Sequence, residues 1–163
     1  MIPLYIDTID WKGSLHKLEF FQTVTAEDLS LITQVQAVPF LDNNTIVLYE
    51  HKDGYHGLPG GTVEKDESLD KALQRELKEE ISAEILRQKI IGYEKDTNLD
   101  TGEVKYSVKY FTHITLLNQQ VNDPDKKSIR RKIVALNEAS RVLNWGKRGE
   151  ILIDLAKEEL ENN

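Results

Sequence analysis

Three glutamates within one and a half turns of a predicted helix, Glu76, Glu79 and Glu80, are the residues of this chain whose type and spacing could do chemistry. Side chains three and four apart on a helix are neighbours, and carboxylate oxygens gathered in this way suit a hard divalent cation. The sequence predicts the helix over about residues 68–81. Turned by roughly 100° per residue, Leu69, Leu73, Leu77 and Ile81 form one stripe that should face a core. Glu76 and Glu80 fall at the edge of that stripe or inside it, and Glu79 lies just beside it. A solvated acidic face would lie on the opposite side.

The crowding is unfavourable in itself. Glu76 repels both Glu79 and Glu80, at roughly 0.2–0.5 kcal/mol for each pair. Glu79 and Glu80 also sit in the last turn, where the helix dipole disfavours anions by a further ~0.3–1 kcal/mol. Such a turn calls for a compensating cation. A surface helix with lysine partners is the competing reading, with Lys78 available locally; the geometry favours a divalent metal.

The elements that must position these side chains can be read around them. Residues 1–33 read as an N-terminal elaboration on a core of 34–163, the whole chain being one domain. In the elaboration, 18–24 suggests a strand, and Thr25-Ala-Glu-Asp28 resembles a capping box that opens a short helix through Ile32. Gln34–Leu41 and Thr45–Glu50 flank the turn signal Asp42-Asn43-Asn44 and read as a hairpin, Pro39 pointing to a bulge or a sheet edge. A polar loop then delivers the chain to Gly57-Leu58-Pro59-Gly60-Gly61. The glycine pair suggests close backbone approach or positive φ. After the helix, 84–93 reads as a strand and 96–103 as a turn. Residues 104–116 alternate clearly and read as the longest strand, with 129–136 as the last. A short helix near 137–139 and an amphipathic one over 147–160, with Ile151, Leu152, Leu155 and Leu160 inward, complete the chain. Strands on both sides of a central helix, with a terminal helix for the other face, predict an α/β/α sandwich around a mixed central sheet.

Composition bounds the function. The chain has 163 residues, enough for one domain with a sizeable core. A net charge of -7 argues against a general affinity for nucleic acid or for anionic membranes. Cysteine is absent, which excludes disulfides, thiol nucleophiles and thiolate zinc sites. The N-terminus lacks the basic start and apolar run of a secretion signal, and no apolar stretch reaches membrane-spanning length, so a cytoplasmic protein is expected.

The stretch from Gly61 to Ala83 resembles the Nudix box. That pattern runs Gly, five residues, Glu, seven residues, Arg-Glu, apolar, any, Glu-Glu, any, Gly, apolar. Here it reads Gly61, Glu67, Arg75-Glu76-Leu77, Glu79-Glu80 and Ser82-Ala83. Every spacing holds, and the one clear substitution is Ser82 for the last glycine. Leu58-Pro59-Gly60 also resembles the usual lead-in. The resemblance implies the Nudix fold and hydrolysis of a diphosphate linkage in a nucleoside diphosphate derivative, with Mg²⁺ or Mn²⁺ as cofactor. By motif position, Glu76, Glu79 and Glu80 would be catalytic metal ligands, with Gly60 adding a backbone carbonyl. Glu67 and Arg75 would pair to tie the loop to the helix, and Gly61 would be structural. The general base would be Glu76 or an acidic residue from a later loop: Asp96, Asp100, Glu103, Asp123, Asp125 or Glu138. Asp123 and Asp125 flank Pro124 and read most simply as turn residues. At Ser82 a glycine would end the helix left-handed, which serine adopts at a cost of ~1–2 kcal/mol; alternatively the helix ends differently or runs on by a residue.

Subfamily signals narrow the substrate by exclusion. No proline lies between Ala83 and Asn122, against an ADP-ribose hydrolase. Nor is there a tyrosine at 99–101, as in dinucleoside polyphosphate hydrolases, or the proline-rich tract of NADH hydrolases. An isopentenyl diphosphate isomerase would need a cysteine. A small MutT-like enzyme acting on a nucleoside triphosphate or related nucleotide remains, with a homodimer left open. Trp11, Tyr49, Tyr55 and Trp145 could stack on a base, and His51 and His56 could meet phosphate, though packing accounts for each as well. The competing class is a non-catalytic Nudix-like domain that senses a nucleotide; intact Glu67, Glu76, Glu79 and Glu80, and a C-terminal segment without a helix-turn-helix, favour the enzyme.

Overall fold

A computed structural model of the chain describes residues 1–162. In order the elements are β1 (Tyr5–Trp11), β2 (Ser14–Phe21), α1 (Ala26–Leu31), β3 (Gln34–Asp42), β4 (Thr45–His51), β5 (His56–Gly57), β6 (Gly60–Thr62), α2 (Leu69–Ile81), β7 (Ala83–Asn98), β8 (Val104–Leu116), β9 (Ser128–Ala135), α3 (Leu136–Leu143) and α4 (Gly146–Glu161). All strands belong to one sheet of order β1-β2-β7-β8-β3-β4-β5, with β6 added to β3 and β9 to β4. The β3–β8 pair is parallel and the others are antiparallel, so the sheet is mixed.

Both faces of the central strands are covered, and successive residues therefore serve two cores. Val35, Ala37, Val47, Val108, Tyr110 and Ile114 pack with Leu73, Leu77 and Ile81 of α2. Val38, Phe40, Ile46, Leu48 and Phe111 pack with Leu152, Ile153 and Ala156 of α4. This is the α/β/α sandwich expected. On α4 the buried set is Leu152, Ile153 and Ala156, while Ile151, Leu155 and Leu160 are only half-buried, so the apolar face is rotated from the expected one.

Several elements differ from their sequence reading. The N-terminal strand expected over 18–24 is a full hairpin, β1 and β2 joined by Lys12-Gly13 with φ of 53° and 83°. Such a turn demands positive φ at both positions, and lysine at the first is a weak sequence signal. The capping box of α1 is complete: Thr25 and Asp28 each accept from the other's backbone N–H. The longest strand is β7, of 16 residues, and not β8, of 13. Two register shifts, at Ile85/Arg87 and Ile90/Gly92, break its alternation and hide its length. Gly92 is required at the second shift: its φ is 150°, and an added Cβ would lie 2.5 Å from the Phe21 carbonyl oxygen. Pro39 is on an interior strand, paired in register with Thr112 of β8. On its other side β3 changes partner, from β6 at residues 34–36 to β4 at Phe40 and Asp42, and Pro39 falls in the gap. A missing N–H is harmless there. No helix among the described residues is long and apolar enough to cross a membrane.

Candidate active site

Ser68 caps α2, accepting from Lys71 N–H at 3.2 Å. Leu73, Leu77 and Ile81 go into the core, and this fixes the rotation of the helix. Glu76 and Glu80 are carried with them into the buried side, 2% and 0% exposed, while the Glu79 side chain is 21% exposed.

Burial at this depth leaves the carboxylates short of partners. Glu80 Oε1 accepts from Gly60 N–H at 2.8 Å, and Glu76 Oε1 accepts from Arg75 at 2.9 Å. Glu80 Oε2 and Glu76 Oε2 are buried without any partner. An orphaned buried oxygen costs about 1–3 kcal/mol, more when charged. Burial pushes the Glu80 carboxyl up to about 8, against the opposing charge of Lys127. Burial also raises Glu76, against Arg75, and raises Glu79, where Asp123 and Asp125 add repulsion.

Arg75 is more than the predicted loop tie. It does grip Glu67 with both edges of a bidentate pair, at 2.8 and 3.0 Å, and donates to Thr62 O at 3.1 Å. The Arg75 hydrogen bond holds the Glu67 carboxyl below its ordinary range. Its remaining nitrogen reaches back to Glu76 at 2.9 Å and Glu79 at 3.3 Å. Arg75 therefore supplies part of the positive charge that the glutamate cluster calls for, although its Cα lies on the helix flank. A planar fork with five donors spans that distance.

The two glycines are required for close approach, and neither has positive φ. A Cβ on Gly60 would lie 2.7 Å from Gln36 Cα, and one on Gly61 2.6 Å from Glu76 Cδ. Beyond the helix, Ser82 takes the left-handed conformation a glycine would take, φ 51° and ψ 57°, so α2 ends as the motif glycine would end it. Ser82 N–H bonds back to Lys78 O, while its carbonyl accepts from Leu117 N–H at 2.8 Å and Arg131 at 2.9 Å. Its Oγ is buried and unpaired.

Of the six loop acids considered, two come to the site. Oxygens of Glu79, Asp123 and Asp125 all lie within 4.8 Å of one another. Asp123 also builds the turn expected of it: Oδ1 accepts from Asp125 N–H at 3.0 Å, and Oδ2 from Lys127 and Ser128 N–H at 3.0 and 2.9 Å. Ser128 Oγ in turn donates to Glu80 O at 2.6 Å and fastens the loop to α2. The others are engaged elsewhere: Asp96 with His16, Asp100 with Leu15 N–H, Glu103 with Lys105 and Glu138 with Arg141. Lys127, whose charge bears on Glu76 and Glu80, carries no motif signal, and nothing in the sequence points to it. Of the histidines, His51 stacks on Tyr55 at 4.2 Å and His56 faces Glu50 at 3.3 Å.

Two orphaned glutamate oxygens and a separate three-carboxylate cluster, all hard oxygen donors, fit a divalent cation. Comparison with known proteins bears on the family and the fold. The family model described as NUDIX domain matches residues 32–155. Among solved structures, a mutant form of the Bacillus subtilis pyrophosphohydrolase BsRppH is 21% identical, with TM-score 0.75 over 96% of this chain and 98% of that one. The NUDIX hydrolase from Nitrosomonas europaea is 18% identical, with TM-score 0.65 over 78% and 90%. The MutT NUDIX hydrolase from Burkholderia pseudomallei is 24% identical, with TM-score 0.58 over 75% and 95%. A search of curated protein sequences found no match. The family match spans most of the chain and contains the whole carboxylate helix and the loop that faces it, so the chain belongs to the NUDIX domain family.

Proposed function

We propose that the chain hydrolyses a diphosphate linkage in a nucleotide, most simply a nucleoside triphosphate or a related nucleoside diphosphate derivative, with Mg²⁺ or Mn²⁺ bound by Glu76, Glu79, Glu80 and the Gly60 carbonyl. The observation that carries this reading is the pair of buried, unpartnered oxygens on Glu76 and Glu80. When bound, the cation would neutralise diphosphate charge and make a coordinated water acidic. The protein's own contribution is orientation. Gly60 N–H fixes one Glu80 oxygen and Arg75 one Glu76 oxygen, leaving the second oxygen of each for the cation. Ser128 and the Asp123 turn hold the facing loop. Lys127 adds positive charge beside an otherwise acidic site, where it would meet a phosphate oxygen. For proton removal from the attacking water Asp125 suits best, since both Asp123 oxygens are committed to backbone N–H groups and the two Glu76 oxygens to Arg75 and the cation. The resemblance of fold to a pyrophosphohydrolase supports cleavage of a phosphoanhydride bond.

The test is a nucleotide panel with Mg²⁺ or Mn²⁺, following release of phosphate or pyrophosphate. Glu79→Gln and Glu80→Gln should each lower kcat by a hundredfold or more, about 2.7 kcal/mol or above, with circular dichroism unchanged. Full activity in both variants overturns the ligand assignment, and silence across the panel favours a sensing domain instead.

A further inference from the structure

The chain contains two tryptophans, and both line one cavity. This cavity, of roughly 660 Å³, lies on the α3–α4 side of the sheet and is walled by Trp11, Tyr55, His56, Lys132, Arg141 and Trp145. Its walls come from four places far apart in sequence: the tip of the β1–β2 hairpin, the β4–β5 loop, β9 and the α3–α4 junction. Trp11 and Tyr55 are 48% and 40% exposed, and they meet edge to face at 6.5 Å between ring centres. Large aromatic rings half in water, gathered around a hollow with a few cations, suit an aromatic ligand better than they suit packing.

The charges point the same way. In a chain of net charge -7, this wall presents Lys132 and Arg141. Lys132 makes no ion pair among the described residues, and Arg141 is held by Glu138 while remaining largely exposed. One face of Trp145 is already covered by the Arg148 guanidinium at 4.1 Å, which fixes that ring. One wall of the cavity also lies close in sequence to a residue that binds a carboxylate. His56 lines it, and only four residue steps later Gly60 N–H binds Glu80. Fully extended, that segment spans about 13 Å, a reach comparable to a nucleoside with its phosphate chain. Tyr55 lies on the cavity wall, and its hydroxyl, raised chiefly by burial and by the Asp53 charge, also feels the charges of Lys127 and Glu80.

We propose that this cavity takes the base and sugar of a nucleoside phosphate, and that the N-terminal hairpin, which lies outside residues 32–155, completes the site by supplying Trp11. The proposal rests on the hydrolase reading for the direction in which the phosphates run, yet it can fail separately. The ring stacks in the aromatic rim, Lys132 and Arg141 meet the sugar-phosphate, and the phosphate chain leaves the cavity past His56.

Because both tryptophans border the cavity, intrinsic fluorescence reads its occupancy without turnover. The full chain, kept in EDTA, is titrated with the nucleoside 5′-monophosphates and with ribose 5-phosphate as a base-free control. Saturable quenching by at least one nucleotide, with none by ribose 5-phosphate, is expected. Trp11→Ala should weaken that binding tenfold or more, read through Trp145, and Lys132→Ala should weaken it several-fold while leaving the thermal unfolding midpoint unchanged. No quenching by any nucleotide, equal quenching by ribose 5-phosphate, or unchanged affinity in both variants overturns the proposal. A silent hydrolysis panel beside positive quenching would instead count against the hydrolase reading alone.

Discussion

At the scale of single residues, the helix end at Ser82 is the feature with the clearest energetic sign. A left-handed serine costs ~1–2 kcal/mol relative to an unstrained residue, and its buried hydroxyl finds no partner. Glycine removes both penalties but gives up chain entropy in the unfolded state, worth about 0.5–1 kcal/mol. Ser82→Gly should therefore stabilise the protein by about 1 kcal/mol, raising Tm by about 2–4 °C in a calorimetric scan. An unchanged or lower Tm would mean that the pocket around Ser82 depends on the hydroxyl. The glutamates themselves are legible from spacing, since carboxylates at i, i+3 and i+4 on the core side of a helix repel one another unless a cation joins them. Arg75 is half legible: a helical wheel records where Cα atoms point, and it is blind to how far a guanidinium bends back along the surface. Asp123 and Asp125 cannot be told apart from four other loop acids by sequence, because their approach to Glu79 depends on the path of a loop between strands.

Among the elements, β7, β8, β3 and α4 share a buried charge chain. Lys109 Nζ donates to Gln36 Oε1 at 2.6 Å and lies 3.3 Å from Glu94, which also binds Tyr5 and Arg148 at 2.7 and 3.2 Å. Gln36 continues it to Leu58 O at 3.3 Å. Burial by itself would raise the Glu94 carboxyl, but the charges of Lys109 and Arg148 outweigh it and hold the group below its ordinary range. A depressed carboxyl of this kind contributes stability that is complete above the ordinary glutamate value and is lost as pH falls through the folded-state value. Lys109→Met leaves Glu94 short of one cation and should cost about 3 kcal/mol at neutral pH. The deficit should shrink in acid, as protonation removes the uncompensated charge, and urea unfolding at a series of pH values would measure it. A deficit that stays constant with pH would show that lost packing, and not charge, is responsible. Nothing in the local sequence announces this chain, because Lys109 sits in a strand that reads simply as alternation and Glu94 lies just past the expected end of another. The strands themselves differ in legibility for a related reason. β8 follows a clean period of two, and its bounds are readable to the residue, whereas β7 carries two register shifts and shows little more than half its length in its pattern. β1 escapes a pattern-based reading because an edge strand with one pairing partner, β2, keeps many of its side chains in water.

For the molecule as a whole, the cluster of buried, partnerless carboxylates exists only in the folded state, which should therefore bind a divalent cation better than the unfolded chain does. At a concentration a hundred times Kd, Mg²⁺ should stabilise by about 2.7 kcal/mol, which at 2–4 °C per kcal/mol is roughly 5–11 °C in Tm. EDTA should abolish the gain, and Glu80→Gln should reduce it sharply; an equal gain in that variant would place the cation elsewhere. The layered architecture follows from the order of strands and helices, but the order of strands within the sheet does not, being set by pairings between residues far apart in the chain, such as His16 with Asn98. Nor does the curl that brings together β1–β2 at one end of the sheet and the β4–β5 loop at the other. Trp11 and Tyr55 meet across that seam edge to face. A contact of this type is worth about 0.5–1.5 kcal/mol, only one to three times the thermal energy RT. Backbone ladders join the neighbouring strands of the sheet, so this seam should be the first to open. If the hollow behind it takes a nucleotide as proposed, the ligand would enter through this seam on the timescale of loop motion.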